Sequence, residues 1–331
     1  MNITNQTTAT STLLVKKGGE GILIQDSGRY GYSQFGITQG GALDEYAYSW
    51  ANHLLNNPVD CATIEITLGQ CEFVFEGDCQ IALCGGDLNA KLDGIQVGNW
   101  TILTIHQGQT LKFGLPRNGL RAYLAIKHGF TINKELNSVA TVPREKLGGL
   151  AHGQALKTGD RIEFRHQEPL AEQTDLPLST QRSRLSLEKK VGFRYQIDYN
   201  VPLNLRVIEG YQVDSFPEET LEQLYSRQFT VSQYADRMGY RLDGSQVTPT
   251  SQTILSEGIA LGAIQIPPDG TPIILLNDRQ TIGGYPKIGC IARIDLPRLA
   301  QAKPGQVITF SRGNLEKLQY TWCRWARFFG Y

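Results

Sequence analysis

The chain has 331 residues, with 32 Lys and Arg against 32 Asp and Glu, so its formal net charge is zero. That length suggests about two domains and a sizeable core, and the balanced charge gives no electrostatic case for a nucleic-acid or anionic-membrane partner. No apolar run approaches the ~20 residues of a membrane-spanning helix, and the Thr- and Asn-rich start through Ser11 lacks the basic and apolar regions of an export signal, so a cytoplasmic protein is expected.

Short β-rich runs recur between turn signals at 21–25, 72–75, 80–83, 100–105 and 121–126. This spacing favours a mainly β chain, with sheets closed into barrels or sandwiches rather than βαβ units. Helices are few. One is expected from Leu43 or Asp44 to about Leu55, with Asp44 placed to cap it and Glu45 favourable in its first turn. A second fits Glu218 to Tyr225, after Pro217. The stretch from His166 to about Lys190 is polar and rich in Pro, Glu, Gln and Ser, which reads as a linker with a domain boundary near Pro202. In the tail, Leu315, Leu318, Trp322, Trp325 and Phe329 recur at helical spacing with Arg324 and Arg327 between them. An amphipathic helix packed on its own domain is expected; the alternative is a partner-docking helix.

The halves carry a faint ordered repeat. Arg29-Tyr30-Gly31-Tyr32 resembles Arg237-Met238-Gly239-Tyr240, and Glu65 with Leu68-Gly69 resembles Glu257 with Leu261-Gly262. Lys157-Thr158-Gly159-Asp160 before Phe164 resembles Lys303-Pro304-Gly305-Gln306 before Phe310, and a similar ending occurs at 107–113. Three matches in one order suggest two related β domains, although Gly-polar-x-apolar-x-Phe is also simply a turn entering a strand.

The chemistry-bearing residues gather in four polar-glycine clusters. These are 25–32, Gln39-Gly40-Gly41 before the first helix, Cys84-Gly85-Gly86-Asp87, and 277–289 after the apolar run 272–276. Glycines let backbone amides approach a ligand, and a helix start can bind an anion. Glu65 and Glu257 lie in apolar strands, either facing solvent or buried with a partner such as Arg29 or Arg279. No Cys-x-x-Cys pair or regular histidine spacing appears, so no metal site is expected and the six cysteines read as reduced thiols. There is neither a phosphate-binding P-loop nor a Gly-x-Ser-x-Gly elbow, and no lysine follows Met1 or Met238, so no biotin attachment is expected on this chain.

Taken in order, Gln25-Asp26-Ser27-Gly28-Arg29-Tyr30-Gly31-Tyr32, Gly40-Gly41-Ala42-Leu43-Asp44, Glu65-Ile66-Thr67-Leu68-Gly69, Arg237-Met238-Gly239-Tyr240, the stretch from Ser256 to Gly270, and Asp278-Arg279-Gln280-Thr281-Ile282-Gly283-Gly284-Tyr285-Pro286 resemble one family. It is that of the biotin-dependent carboxyltransferase-like proteins, also called allophanate hydrolase subunit 2 or KipA-like. The resemblance runs from about Leu13 to Phe310; Tyr30 and Gln39-Gly40 depart from the family's usual proline and Pro-Ser.

The resemblance implies two tandem cyclophilin-like β-barrel domains with a few short helices. These are expected at 12–201, with a helical insertion near 43–55 and a linker near 166–200, and at 202–312, followed by an aromatic helix or tail at 313–331. It also implies a heteromeric complex with a KipI-like (allophanate hydrolase subunit 1) protein and a LamB/YcsF-like subunit. The implied activity is that of ATP-dependent 5-oxoprolinase, opening 5-oxo-L-proline to L-glutamate, with this chain as the C subunit, inactive alone, and ATP held by an unassigned chain. Alternatives are a biotin-dependent carboxyltransferase component acting on urea or a related amide, and a regulatory KipI-binding protein. Chemistry within the matching motifs nominates Asp278, Arg279, Lys287 and Glu65 for catalysis. Gln25, Asp26, Arg29, Gly40, Gly41, Gly85, Gly86, Gln280, Thr281, Gly283, Gly284 and Tyr285 are nominated for binding a small-molecule substrate.

Overall fold

The computed structural model describes residues 10–167, 190–250 and 254–331, so most of the expected linker lies outside the described residues. Two compact units emerge. One is drawn from Met1–Ser27, Tyr46–Arg117 and Arg121–Ile197, the other from Gly28–Glu45, Asn118–Leu120 and Asp198–Tyr331. The units are therefore not contiguous in sequence: the segment leading into the first helix groups with the C-terminal unit.

The mainly β reading holds. In the first unit a seven-stranded sheet runs in the order Phe130–Thr131, Arg161–Arg165, Thr10–Lys17, Glu72–Phe75, Thr110–Lys112, Lys91–Leu92, Ile95–Gln96. A five-stranded sheet runs Ile22–Gln25, Thr63–Thr67, Asn118–Ile126, Cys79–Asp87, Thr101–Ile105. Alternate residues such as Leu13, Val15, Phe73 and Phe75 from the first sheet, and Ile22, Ile24, Ile64 and Ile66 from the second, share one core. Helix α1, Glu45–Leu54, packs beside strand Cys79–Asp87. Gly85 makes this possible, because a Cβ there would lie 3.2 Å from the Ala47 Cβ and 2.6 Å from the Arg121 carbonyl oxygen.

The second unit closes a barrel in the order Leu203–Glu209, Lys287–Ile291, Ala263–Gln265, Ile273–Leu275, Gly239–Asp243, Phe229–Ala235, Val307–Arg312. Closure joins the last strand to the first in parallel, Leu205 opposite Phe310, which leaves no open edge. Val207, Val231, Leu242, Ile264, Ile274, Ile288 and Phe310 fill its core. Helix α2, Glu218–Ser226, follows Pro217 as expected and adds Leu224 to that core; the short α3, Leu296–Leu299, adds Leu299. Helix α4, Leu315–Phe329, is capped by Asn314, whose Oδ1 accepts from the Lys317 amide at 2.9 Å. It buries Leu318, Ala326 and Phe329, and the Arg293 guanidinium stacks 4.7 Å over Trp322. The tail thus packs on its own unit, the first of the two arrangements expected for it.

The repeat at 157–164, 303–310 and 107–113 is one turn used three times. The amides of Asp160, Gln306 and Gln109 donate to the carbonyls of Lys157, Lys303 and His106 at 3.0, 3.0 and 3.1 Å. In each turn the side chain of that fourth residue accepts from the amide of the first, and Gly159, Gly305 and Gly108 take positive φ at the third position. The other matches do not extend to structure: Glu65 sits mid-strand in Thr63–Thr67, whereas Glu257 opens the two-residue strand Glu257–Gly258.

Candidate functional site

The outer face of the second unit's barrel carries a polar recess beneath a short ribbon. Strand Ala263–Gln265 puts Ile264 into the barrel core, so Ala263 and Gln265 face outward. The neighbouring strand bulges: Gln265 pairs with Lys287 but Ala263 pairs with Cys290. The extra residue lets Ile288 and Ile291 both point inward while Lys287 and Cys290 reach the outer face. There Ile259, Ala263 and Leu275 form a small apolar cluster with Ile273 and Cys290. Ile259 follows Glu257–Gly258, which pairs with Ile282–Gly283 to make the covering ribbon. The Arg279 guanidinium ties this cover down, donating to the Ile259 carbonyl at 3.1 Å and the Leu276 carbonyl at 3.2 Å.

Gln265 is only 2 % exposed, and its Nε2 has no hydrogen-bond partner among the described residues. Its Oε1 lies 3.4 Å from the Gln280 Nε2. A Cβ at Gly283 would stand 2.7 Å from the Ile259 Cδ1 and 3.0 Å from the Gln265 Nε2, so this close approach requires glycine. Beside them Lys287 Nζ bonds the Glu257 carboxylate, which also accepts from the Tyr211 hydroxyl. Gln212 locks the group: its Nε2 donates to Glu257 Oε1 at 2.7 Å and its Oε1 accepts from the Lys287 amide at 2.9 Å. The bond from Lys287, then that from Tyr211, holds the Glu257 carboxyl below its ordinary pKa, and the bond to Glu257 raises that of Tyr211. Burial lowers the pKa of Arg279, which has no carboxylate within ion-pair distance among the described residues. Burial raises that of Cys290, against the opposing charges of Arg279 and Lys287. The recess offers a lysine held by a carboxylate, three carboxamides, an exposed phenol and a desolvated guanidinium.

Of the nominated residues, Arg279, Gln280, Thr281, Gly283 and Lys287 meet in or around this recess. Thr281 contributes its carbonyl, which accepts from the Ile259 amide at 3.0 Å. Gly284 abuts the Ile254 carbonyl, and Tyr285 is half-exposed. Asp278 does something else in the same unit: it takes a two-pronged ion pair from Arg237 at 2.9 and 3.0 Å. Arg237 also donates to the Gly41 carbonyl at 2.7 Å. Asn277 Nδ2 donates to the carbonyls of Gly40 and Ala42 at 3.1 and 3.0 Å, and the Gly40 amide returns a bond to the Asn277 carbonyl. The Gly40-Gly41 turn thus offers these side chains its carbonyls, the opposite polarity from an anion cradle. Arg29 is buried, its amide bonded to the Gln39 carbonyl at 2.7 Å.

The remaining nominees lie in the first unit. Glu65 is fully buried and accepts from the Tyr123 hydroxyl at 2.7 Å, with Arg121 Nε 3.8 Å away. Within its own unit the Arg121 guanidinium faces this buried carboxylate, because strand Asn118–Ile126 lies beside strand Thr63–Thr67. Glu257 pairs with Lys287 instead of either arginine. Asp26 accepts from the Ser138 hydroxyl at 2.7 Å and the Val139 amide at 2.8 Å, and Gln25 Nε2 donates to the Thr141 carbonyl at 3.0 Å. Gly85 and Gly86 lie within a buried strand. Sequence reasoning left Gln265, Tyr211 and Gln212 out of the site and did not nominate Glu257 for it. The usable signal was Gln265 alternating with Ile264 and Ile266, but only the strand register sets it beside Lys287. No group of three metal-ligating side chains occurs among the described residues.

Residues 35–312 match the model of the family described as carboxyltransferase domain, subdomain A and B. This chain belongs to that family. Along 306 residues the carboxyltransferase-domain chain is 35% identical to the 5-oxoprolinase C subunit of Escherichia coli, covering 92% of each. It is 32% identical to the 5-oxoprolinase C subunit of Haemophilus influenzae, covering 89% of each. Among solved structures, the Kluyveromyces lactis urea carboxylase superposes with a TM-score of 0.79 at 26% identity, over 93% of this chain and 28% of that one. The expected family is thus the observed one. No helix among the described residues is long and apolar enough to cross a membrane.

Proposed function

We propose that this carboxyltransferase-domain chain is the C subunit of a heteromeric ATP-dependent 5-oxoprolinase. The enzyme opens 5-oxo-L-proline to L-glutamate as water adds across the ring C–N bond and ATP is hydrolysed. The observation that carries this reading is similarity along 92% of both this chain and its Escherichia coli relative. The recess supports it chemically. Lys287 and Arg279 are placed to stabilise charge developing on a carbonyl oxygen, and the Glu257–Tyr211 pair is suited to moving a proton. ATP belongs to the assembled enzyme, and its partners in this reading are a KipI-like protein and a LamB/YcsF-like protein.

A second reading, a carboxyltransferase component acting on urea, draws on the urea carboxylase structure. It requires a biotin carrier and a carboxylase on other chains. Glutamate release from 5-oxo-L-proline, measured with this chain, both partners and ATP, separates the two. Activity that disappears when this chain is omitted supports the first reading. A verified three-component complex that releases no glutamate contradicts it.

A further inference from the structure

We propose that the Gln265 carboxamide, backed by Gln280, reads the edge of a cis amide, the group that a lactam ring and urea both present. This names the ligand chemistry of the recess and takes its choice of substrate from the function proposed above. A carboxamide carries an N–H donor and a carbonyl acceptor side by side on one edge. A lactam or a urea presents the complementary pair, because its N–H lies on the same side as its C=O; an ordinary trans secondary amide does not. The two groups can therefore join through a pair of parallel hydrogen bonds.

Gln265 is prepared for such a partner. It is 2 % exposed, yet its Nε2 has no acceptor among the described residues. A buried amide donor left unpaired costs free energy, so a carbonyl that supplies the missing bond is favoured. The Gln280 Nε2 stands 3.4 Å from the Gln265 Oε1, a long contact that leaves this oxygen a further lone pair. Exchanging the N and O positions of the Gln265 carboxamide gives the same donor–acceptor edge, so the match does not depend on that assignment. Gly283 packs closely against this amide, and a Cβ there would crowd Nε2 at 3.0 Å, so glycine keeps a side chain of the ribbon off the donor. Lys287 is the register partner of Gln265, and its ammonium is held by Glu257, which places the recess's charge next to the amide-reading group.

The test is ligand-observed NMR on the folded full chain with 5-oxo-L-proline, 2-pyrrolidinone, urea, N-methyl-2-pyrrolidinone and N-methylacetamide. The first three carry the cis N–H and C=O edge; N-methyl-2-pyrrolidinone lacks the N–H, and N-methylacetamide is trans. The expected result is binding of the first group at least about tenfold tighter than of the last two. Gln265→Glu, which replaces the free donor with an acceptor, is expected to abolish that preference. Gln265→Met, which removes both polar atoms, is expected to do the same, and circular dichroism reports whether each variant folds. No binding of the cis-amide probes by the wild-type chain, or an unchanged preference in both folded variants, overturns the proposal. In the assembled enzyme, glutamate release with an unaltered KM for 5-oxo-L-proline in Gln265→Glu overturns this assignment while the proposed function stands. Absence of glutamate release overturns that function, and the probe preference then decides the Gln265 assignment on its own.

Discussion

Glu65 in the first unit and Glu257 in the second are the two carboxylates that the sequence places in apolar strands, and they have opposite surroundings. Glu65 is fully buried between Tyr123 and Arg121, its strand flanked on both sides. Glu257 lies at a ribbon edge, part-exposed, gripping Lys287 and Tyr211 beside a buried carboxamide whose donor has no partner among the described residues. A buried, hydrogen-bonded charge is costly to disturb and fixes local structure. A part-exposed charge beside an unsatisfied donor contributes little to stability and is open to a ligand. Strongly polar residues in apolar strands therefore mark either a lock or a site, and their partners decide which.

The largest expected effect breaks the lock. Glu65→Ala removes a fully buried carboxylate that accepts from Tyr123 and faces the 4 %-exposed Arg121, and a loss of roughly 3–5 kcal/mol is expected in urea unfolding. A loss below about 1 kcal/mol would show that the pair is not what holds these strands. The next effect sharpens the site. In Gly283→Ala the added methyl meets Ile259 and Gln265, and overpacking is expected to cost about 1–3 kcal/mol while weakening substrate binding in the assembled enzyme. An unchanged KM would place the ligand elsewhere.

The smallest effect is on Glu257. Glu257→Gln is expected to cost less than about 1 kcal/mol, because the pair is part-exposed. The sign follows from the lowered folded-state pKa of this carboxyl. Its contribution is fully present above the ordinary value of 4.5 and declines as pH falls from there through the lowered folded value. Urea unfolding of the two proteins should differ at pH 7 and converge in acid; a difference that grows in acid would contradict the assigned ion pair.

Much of the fold was legible because its signals are local. Apolar alternation marked the strands, Pro217 and the residues after Asp44 marked two helices, and aromatics at helical spacing marked α4. The turn that recurs at Gly108, Gly159 and Gly305 was readable because glycine alone takes those φ values cheaply. Long-range pairing was not legible. Nothing local says that Gly28–Glu45 groups with residues after Asp198, or that Asp278 is occupied by Arg237. The stretch 277–289 was singled out as a polar-glycine cluster at a strand end, and in the structure its residues divide. Asn277 and Asp278 brace the Gly40-Gly41 turn, whereas Gln280, Gly283 and Lys287 line the recess. Gln265 escaped notice because, in sequence, a glutamine alternating with isoleucines reads as a solvent-facing strand residue; the ribbon that buries it comes from elsewhere in the chain.

The most direct test of the account is amide hydrogen exchange of the full chain with and without saturating 5-oxo-L-proline. Slowed exchange is predicted at 257–259, 263–265 and 280–287, with no change at 63–67 or 138–141. Protection confined to the first unit's segments, or none in the ribbon and its underlying strands, would contradict the claim that the ligand binds at the second unit's outer barrel face.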